Sequence, residues 1–140
     1  MADTVTGPTI LQQNDQRVVI KIINQSDGTG ATTVFGDVSA LAANSVTGKA
    51  AAHLSLLRVW FSCQGGNGGD SFARLDEEDD DGDIPIIGLT GAAYWDFREF
   101  GGLKTDKSNN TNESDVNFVV PGAADSGNMY TVVAEFIKLY

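Results

Sequence analysis

The stretch 129–139, MYTVVAEFIKL, alternates with a period of two, which a half-buried extended strand satisfies and a helix does not. Tyr130, Val132, Ala134 and Phe136 fall on one side; Thr131, Val133, Glu135 and Ile137 fall on the other. The same pattern runs through 17–25, where Val18, Ile20 and Ile22 oppose Val19, Lys21 and Ile23. Its β-branched residues favour a strand over a helix. It returns in 115–120, with Val116, Phe118 and Val120 set against Asn117. The stretch 53–63 is apolar on both sides: Leu57, Val59, Phe61 and Cys63 on one, Leu54, Leu56, Arg58 and Trp60 on the other. Such a strand is sandwiched within the protein or completed by a neighbouring subunit.

Between these segments lie turn signals. NQSDGTG at 24–30 supplies Asp27-Gly28, QGGNGG at 64–69 is glycine-rich, and PGAADSGN at 121–128 precedes the last strand. Further strands are expected at 32–38 and 71–75, and at 84–89, where Pro85 favours an edge position. Residues 39–52 read as a connector with room for a helical turn, and 92–100 as strand or irregular chain. With 16 glycines, three prolines and no long helical period, the 140 residues predict an all-β fold. The expected architecture is a single antiparallel β-sandwich or jelly-roll-like domain over 17–140, preceded at 1–16 by a polar N-terminal arm or edge segment. A chain of this length buries enough surface to fold without a metal or disulfide.

The net charge of −10 argues against nucleic acid and anionic membranes as partners, since both require clustered basic residues. Seven of the eight residues 76–83, DEEDDDGD, are acidic. Carboxylates at this density either form a solvated, self-repelling loop or hold Ca²⁺ or Mg²⁺ through Asp79, Asp81 and Asp83. An EF-hand frame starting at Glu77 fails, because Gly88 stands where the bidentate Glu belongs. No cofactor is otherwise implied. Cys63 is alone and sits in an apolar run, as a small buried hydrophobe does. No signal peptide or membrane span is legible, so synthesis in a cytoplasm is expected.

Catalytic constellations are sparse. His53 is the only histidine, and it precedes a strand. No GxSxG surrounds a serine. Asp96 and Glu99 have the residue types of a glycosidase pair, but at this spacing they read as surface ion-pair partners, with Arg98 between them. The dense aromatics are more informative. Trp60, Tyr94, Trp95 and Phe97 are the candidate interface residues, because large rings anchor contacts, although the same rings also serve cores.

Several segments resemble a group of small structural proteins of tailed bacteriophages, marine ones especially: RVVIKIINQSDGTG, DVSAL, LRVWFS, YWDFREFGGL, DVNFVV and YTVVAEFIKLY. SDGTG and DFREFGG are the most specific pieces, and the likeness runs from Arg17 to Tyr140. The resemblance implies a non-enzymatic virion component, a capsid decoration or cement protein on the capsid exterior. It implies the major capsid protein as partner, together with other copies of the chain, as a homo-oligomer or as contacts between copies on the virion. The acidic run departs from the pattern, which has a short aromatic-acidic turn there. Two alternatives stand beside this reading: a tail or neck structural or host-contact protein, and a carbohydrate-binding module using Trp95 and Tyr94.

Overall fold

The computed structural model describes residues 3–65, 72–78, 82–103, 115–121 and 127–140. Eight strands follow in order: β1 (Thr4–Gln13), β2 (Arg17–Gln25), β3 (Ala31–Gly36), β4 (His53–Gln64), β5 (Phe72–Glu77), β6 (Ile84–Asp96), β7 (Val116–Val120) and β8 (Met129–Leu139). Short 3₁₀ turns stand at Val38–Ala40 and Arg98–Phe100. All pairings are antiparallel, and the strands form one sheet in the order β1-β2-β8-β4-β6-β5-β7-β3. The all-β antiparallel class expected from the alternation is the class found.

The sheet folds back on itself at β6. The first half of this strand pairs with β5, from Ile84 to Thr90; the second half pairs with β4, from Gly91 to Asp96. One long strand thus belongs to two half-sheets, and the change of partner falls at Gly91, whose φ is +71°. The result is a nearly closed barrel. β1 and β3, the two ends of the order, approach without pairing, and Pro8, Ile10, Ile20, Phe35 and Leu41 line the cleft between them. The strand expected at 84–89 and the uncertain stretch 92–100 are therefore one continuous element as far as Asp96. Pro85 is tolerated beside a bulge, where β5 shifts register between Leu75 and Asp76.

The core lies between the half-sheets. Val18, Ile20 and Ile22 of β2 and Tyr130, Val132, Ala134 and Phe136 of β8 are buried, as their alternation requires. Val116, Phe118 and Val120 of β7 meet them from the other side. Edge-to-face ring pairs tie the halves together: Phe35 to Phe136 at 5.9 Å and Phe118 to Tyr130 at 6.2 Å between centroids. Such pairs contribute roughly 0.5–1.5 kcal/mol each beyond the area they bury.

In β4 the expected faces are corrected. A bulge between Leu56 and Arg58 shifts the register against β8 by one residue. Leu54 and Leu56 therefore join Val59, Phe61 and Cys63 in the core instead of opposing them. A one-residue slip exchanges the faces of everything beyond it. The apolar run on both sides is explained by this exchange and by Leu57, which is buried outside the main core cluster beside Gly102.

The N-terminal segment is an edge strand in this fold. β1 is exposed along nearly its whole length and pairs with β2 through two irregularities, between Thr6 and Thr9 and between Ile10 and Gln12. Such breaks blunt an edge against pairing with other chains. A hairpin turn leads into β2, with the Asn14 side chain accepting from the backbone N–H groups of Gln16 and Arg17, each at 2.8 Å.

Candidate functional site

The outer face of the half-sheet β1-β2-β8-β4-β6 carries the site. Register places side chains in rows across the strands, because residues opposite one another share a face. One row runs Thr9, Lys21, Val133, Trp60, Tyr94. The next, towards the far end, is smaller: Thr6, Ile23, Thr131, Ser62, Ala92. On the other side lies a charged row: Gln12, Val19, Glu135, Arg58, Asp96.

Size differences between the rows shape the surface. Trp60 stands as a wall, and the small side chains of Ser62, Ala92 and Thr131 leave a shallow depression of about 390 Å³ against it, with Val133 alongside. The Trp60 and Tyr94 rings stack on each other with centroids 4.9 Å apart and planes at 23°. The Arg58 guanidinium lies over the Trp60 ring, 4.9 Å from its centroid. Arg58 and Tyr94 thus engage the indole, which nevertheless keeps 36% of its surface exposed; Tyr94 keeps 44%.

Ion pairs fix the charged row. Arg58 Nε donates to Glu135 Oε1 at 2.9 Å, and Arg17 Nη1 stands 3.9 Å from the same oxygen. Glu135 is buried, so its carboxylate depends on these cations. Asp96 accepts from Arg98 Nη2 at 2.6 Å, Arg98 Nε at 2.9 Å and the Arg98 backbone N–H at 3.0 Å. These bonds hold the Asp96 carboxyl down at about 2. The ion-pair expectation for Asp96 and Arg98 is met. A glycosidase acid needs the opposite, a carboxyl raised towards neutrality.

The sequence candidates divide between two faces. Trp60 and Tyr94 come together outside. Trp95, the next residue along β6, points the other way and meets Phe61 edge-to-face at 5.3 Å and Phe97 at 6.5 Å. Trp95 and Phe97 therefore cap the core where the half-sheets part, although Trp95 is still 41% exposed. Arg58, Glu135, Val133 and Lys21 complete the outer face. The sequence reading did not single them out, because they join only through register between strands distant in the chain.

The segment after β6 straps this region down. The Phe97 N–H donates to Leu57 O at 2.7 Å, and Leu56 and Leu103 exchange backbone bonds of 2.9 and 2.7 Å. Gly101 ends the 3₁₀ turn in the left-handed region, at φ 79°, and Gly102 follows at φ 101°. A side chain at Gly102 would collide with the Ser55 hydroxyl and lie 3.2 Å from Leu56 O. The GG pair of the DFREFGG motif is thus required by backbone conformation and by close approach to β4.

The acidic run is only partly a loop. Asp76 and Glu77 are the last residues of β5, and both are buried. Arg74 Nε donates to Asp76 at 2.9 Å, and His53 Nδ1 stands 3.6 Å from Glu77 Oε1. That corrects the solvated-loop reading for these two residues: both are packed into the sheet, and Asp76 is paired with Arg74. Of the cation candidates, Asp79 and Asp81 lie outside the described residues. Asp83 is exposed and accepts from Asn117 Nδ2 at 3.2 Å. Among the described residues no group of three or more His, Cys, Asp or Glu is placed to hold a metal ion. Cys63 is buried, and burial pushes its thiol up to about 11. No described helix is long and apolar enough to cross a membrane.

No protein-family model matches this chain, and neither a curated protein nor a solved structure shows significant similarity to it.

Proposed function

We propose that this chain is a non-enzymatic structural protein of a tailed-phage virion, decorating the capsid exterior and stabilising the shell through contacts with the major capsid protein and with neighbouring copies. The observation that carries the contact role is the exposed Trp60–Tyr94 stack on the outer face of the sheet, bordered by paired charges. Aromatic rings and arginines are the residue types that concentrate binding energy at protein interfaces. Here they are already ordered: Arg58 is held by Glu135, and its guanidinium covers the indole. A partner therefore meets a surface whose side-chain entropy is largely spent in folding, which lowers the cost of association. The resemblance of the motif segments supplies the virion, and with it the capsid protein as partner.

A sugar-binding reading of the same face is less well supported. A sugar stacks on an open ring face, and Arg58 and Tyr94 both engage the Trp60 indole. Co-sedimentation with purified phage capsid shells tests the proposal. Wild-type protein should pellet with the shells, and Trp60→Ala and Tyr94→Ala proteins that remain folded should bind at least about tenfold more weakly, a loss typical of an interface anchor. Wild-type protein that stays in the supernatant, or that binds only tails, would overturn it.

A further inference from the structure

Among the described residues, charge is unevenly placed. Of these, Arg17, Lys21, Arg58 and Arg98 stand on or beside the outer face, together with Glu135 and Asp96. These six charges, four basic and two acidic, sum to +2, on a chain whose net charge is −10. Four other described acids gather elsewhere. Register brings the ends of β3 and β5 and the starts of β6 and β7 together: Gly36 opposite Val116, and Glu77 opposite both Val116 and Ile84. Asp37, Glu78, Asp83 and Asp115, which flank these residues, therefore collect at one end of the second half-sheet. Glu78 N–H donates to Asp115 O at 2.9 Å, which fixes two of them side by side.

We infer that the outer face of one copy takes the acidic end of a second copy, head to tail, with the Trp60–Tyr94 stack at the centre of the contact. This rests on the outer face being a protein-contact surface, as proposed above, and names its occupant. Face-to-face pairing of two copies would set these charges, net +2 after the Glu135 and Asp96 pairs, against the same net +2. Head-to-tail pairing sets cations against carboxylates. Contacts of this kind use two different patches, so they extend into rings or rows and do not stop at a dimer. Rows of linked copies suit a protein that spreads over a shell, because each copy's hold is multiplied by its neighbours.

Mixing two variants tests the geometry. Lys21→Glu with Tyr94→Ala disables the face and leaves the acidic end intact. Glu78→Lys with Asp83→Lys disables the acidic end and leaves the face intact. Circular dichroism melting first establishes that both proteins fold. In sedimentation velocity, wild type should form oligomers whose apparent dissociation constant rises at least about tenfold between low salt and roughly 0.5 M salt, as screening shortens the range of the charges. Each variant alone should be monomeric, and an equimolar mixture should give a one-to-one dimer that grows no further. An acidic-end variant that still self-associates alone would overturn the head-to-tail arrangement. Wild type that is monomeric at every concentration, while still binding capsid shells through the face, would overturn the inference and leave the decoration reading standing.

Discussion

Replacing Gly101 and Gly102 separately by alanine gives two outcomes that the strap geometry sets apart. At Gly101 an added Cβ meets no atom within 4 Å, so only the left-handed backbone at φ 79° is penalised. That costs about 1–2 kcal/mol, partly offset by roughly 0.5–1 kcal/mol from the stiffer unfolded chain. The net loss should be near 1 kcal/mol. At Gly102 the backbone penalty at φ 101° is joined by collision with the Ser55 hydroxyl and by contacts at 3.2 Å to Leu56 O and 3.4 Å to Leu57 Cδ2. Leu56 O has little room to yield, because it accepts from Leu103 N–H at 2.7 Å. Overpacking of a fixed site adds about 1–3 kcal/mol, for a total of about 2–4 kcal/mol. Urea unfolding followed by tryptophan fluorescence reads the difference. With a slope of about 2 kcal/mol/M, the midpoint should fall by about 0.5 M for Gly101→Ala and by about 1–2 M for Gly102→Ala, at unchanged slope. Equal shifts, or a larger shift at Gly101, would refute the claim that the 97–103 segment is clamped onto β4.

Three further outcomes follow from the charges and the thiol. Arg58→Ala should destabilise the fold by about 2–4 kcal/mol, because it leaves the buried Glu135 carboxylate with only Arg17 at 3.9 Å; in Glu135→Gln background the same change should cost markedly less, as a double-mutant cycle will report. The Asp96 carboxyl, lowered to about 2 from an ordinary 3.8, should keep its Arg98 interaction down to about pH 3 and lose it only as pH falls through the folded value, which carboxyl ¹³C shifts against pH will follow. The Cys63 thiol, raised from 9.0 to about 11, should hold about 100-fold less thiolate near pH 8 than an exposed cysteine and label correspondingly slowly until the protein is unfolded in denaturant. Because its folded value is the higher one, its contribution to stability is intact below pH 9 and is lost as pH rises from 9 towards 11.

The parts of this fold that were legible in the sequence are those governed by local periodicity. Strands β2, β7 and β8 bury the faces their alternation predicts, since one half-sheet side meets the core along the whole of each. What was not legible depends on partners distant in the chain. The β4 bulge leaves no mark in LSLLRVW, yet it moves Leu54 and Leu56 into the core. Pro85, Gly88 and Gly91 broke the pattern of β6 into apparent pieces, although two different partner strands carry it through. Asp76 and Glu77 looked like solvated loop because the Arg74 and His53 that accompany them are not evident from local pattern. The candidate site was half legible. All four rings were identified, but sorting Trp60 and Tyr94 from Trp95 and Phe97 required β6 to be known as a strand and its register on β4 to be known.

The account turns on where the Trp60–Tyr94 face lies when the protein is in its assembled place. A density map of the intact virion that resolves this chain measures it directly. The chain should sit on the capsid exterior in many copies, with Trp60 and Tyr94 buried against protein and Arg17, Lys21 and Arg98 opposite carboxylates. A chain found on the tail or neck, or a capsid-bound chain with this face open to solvent, would contradict the account.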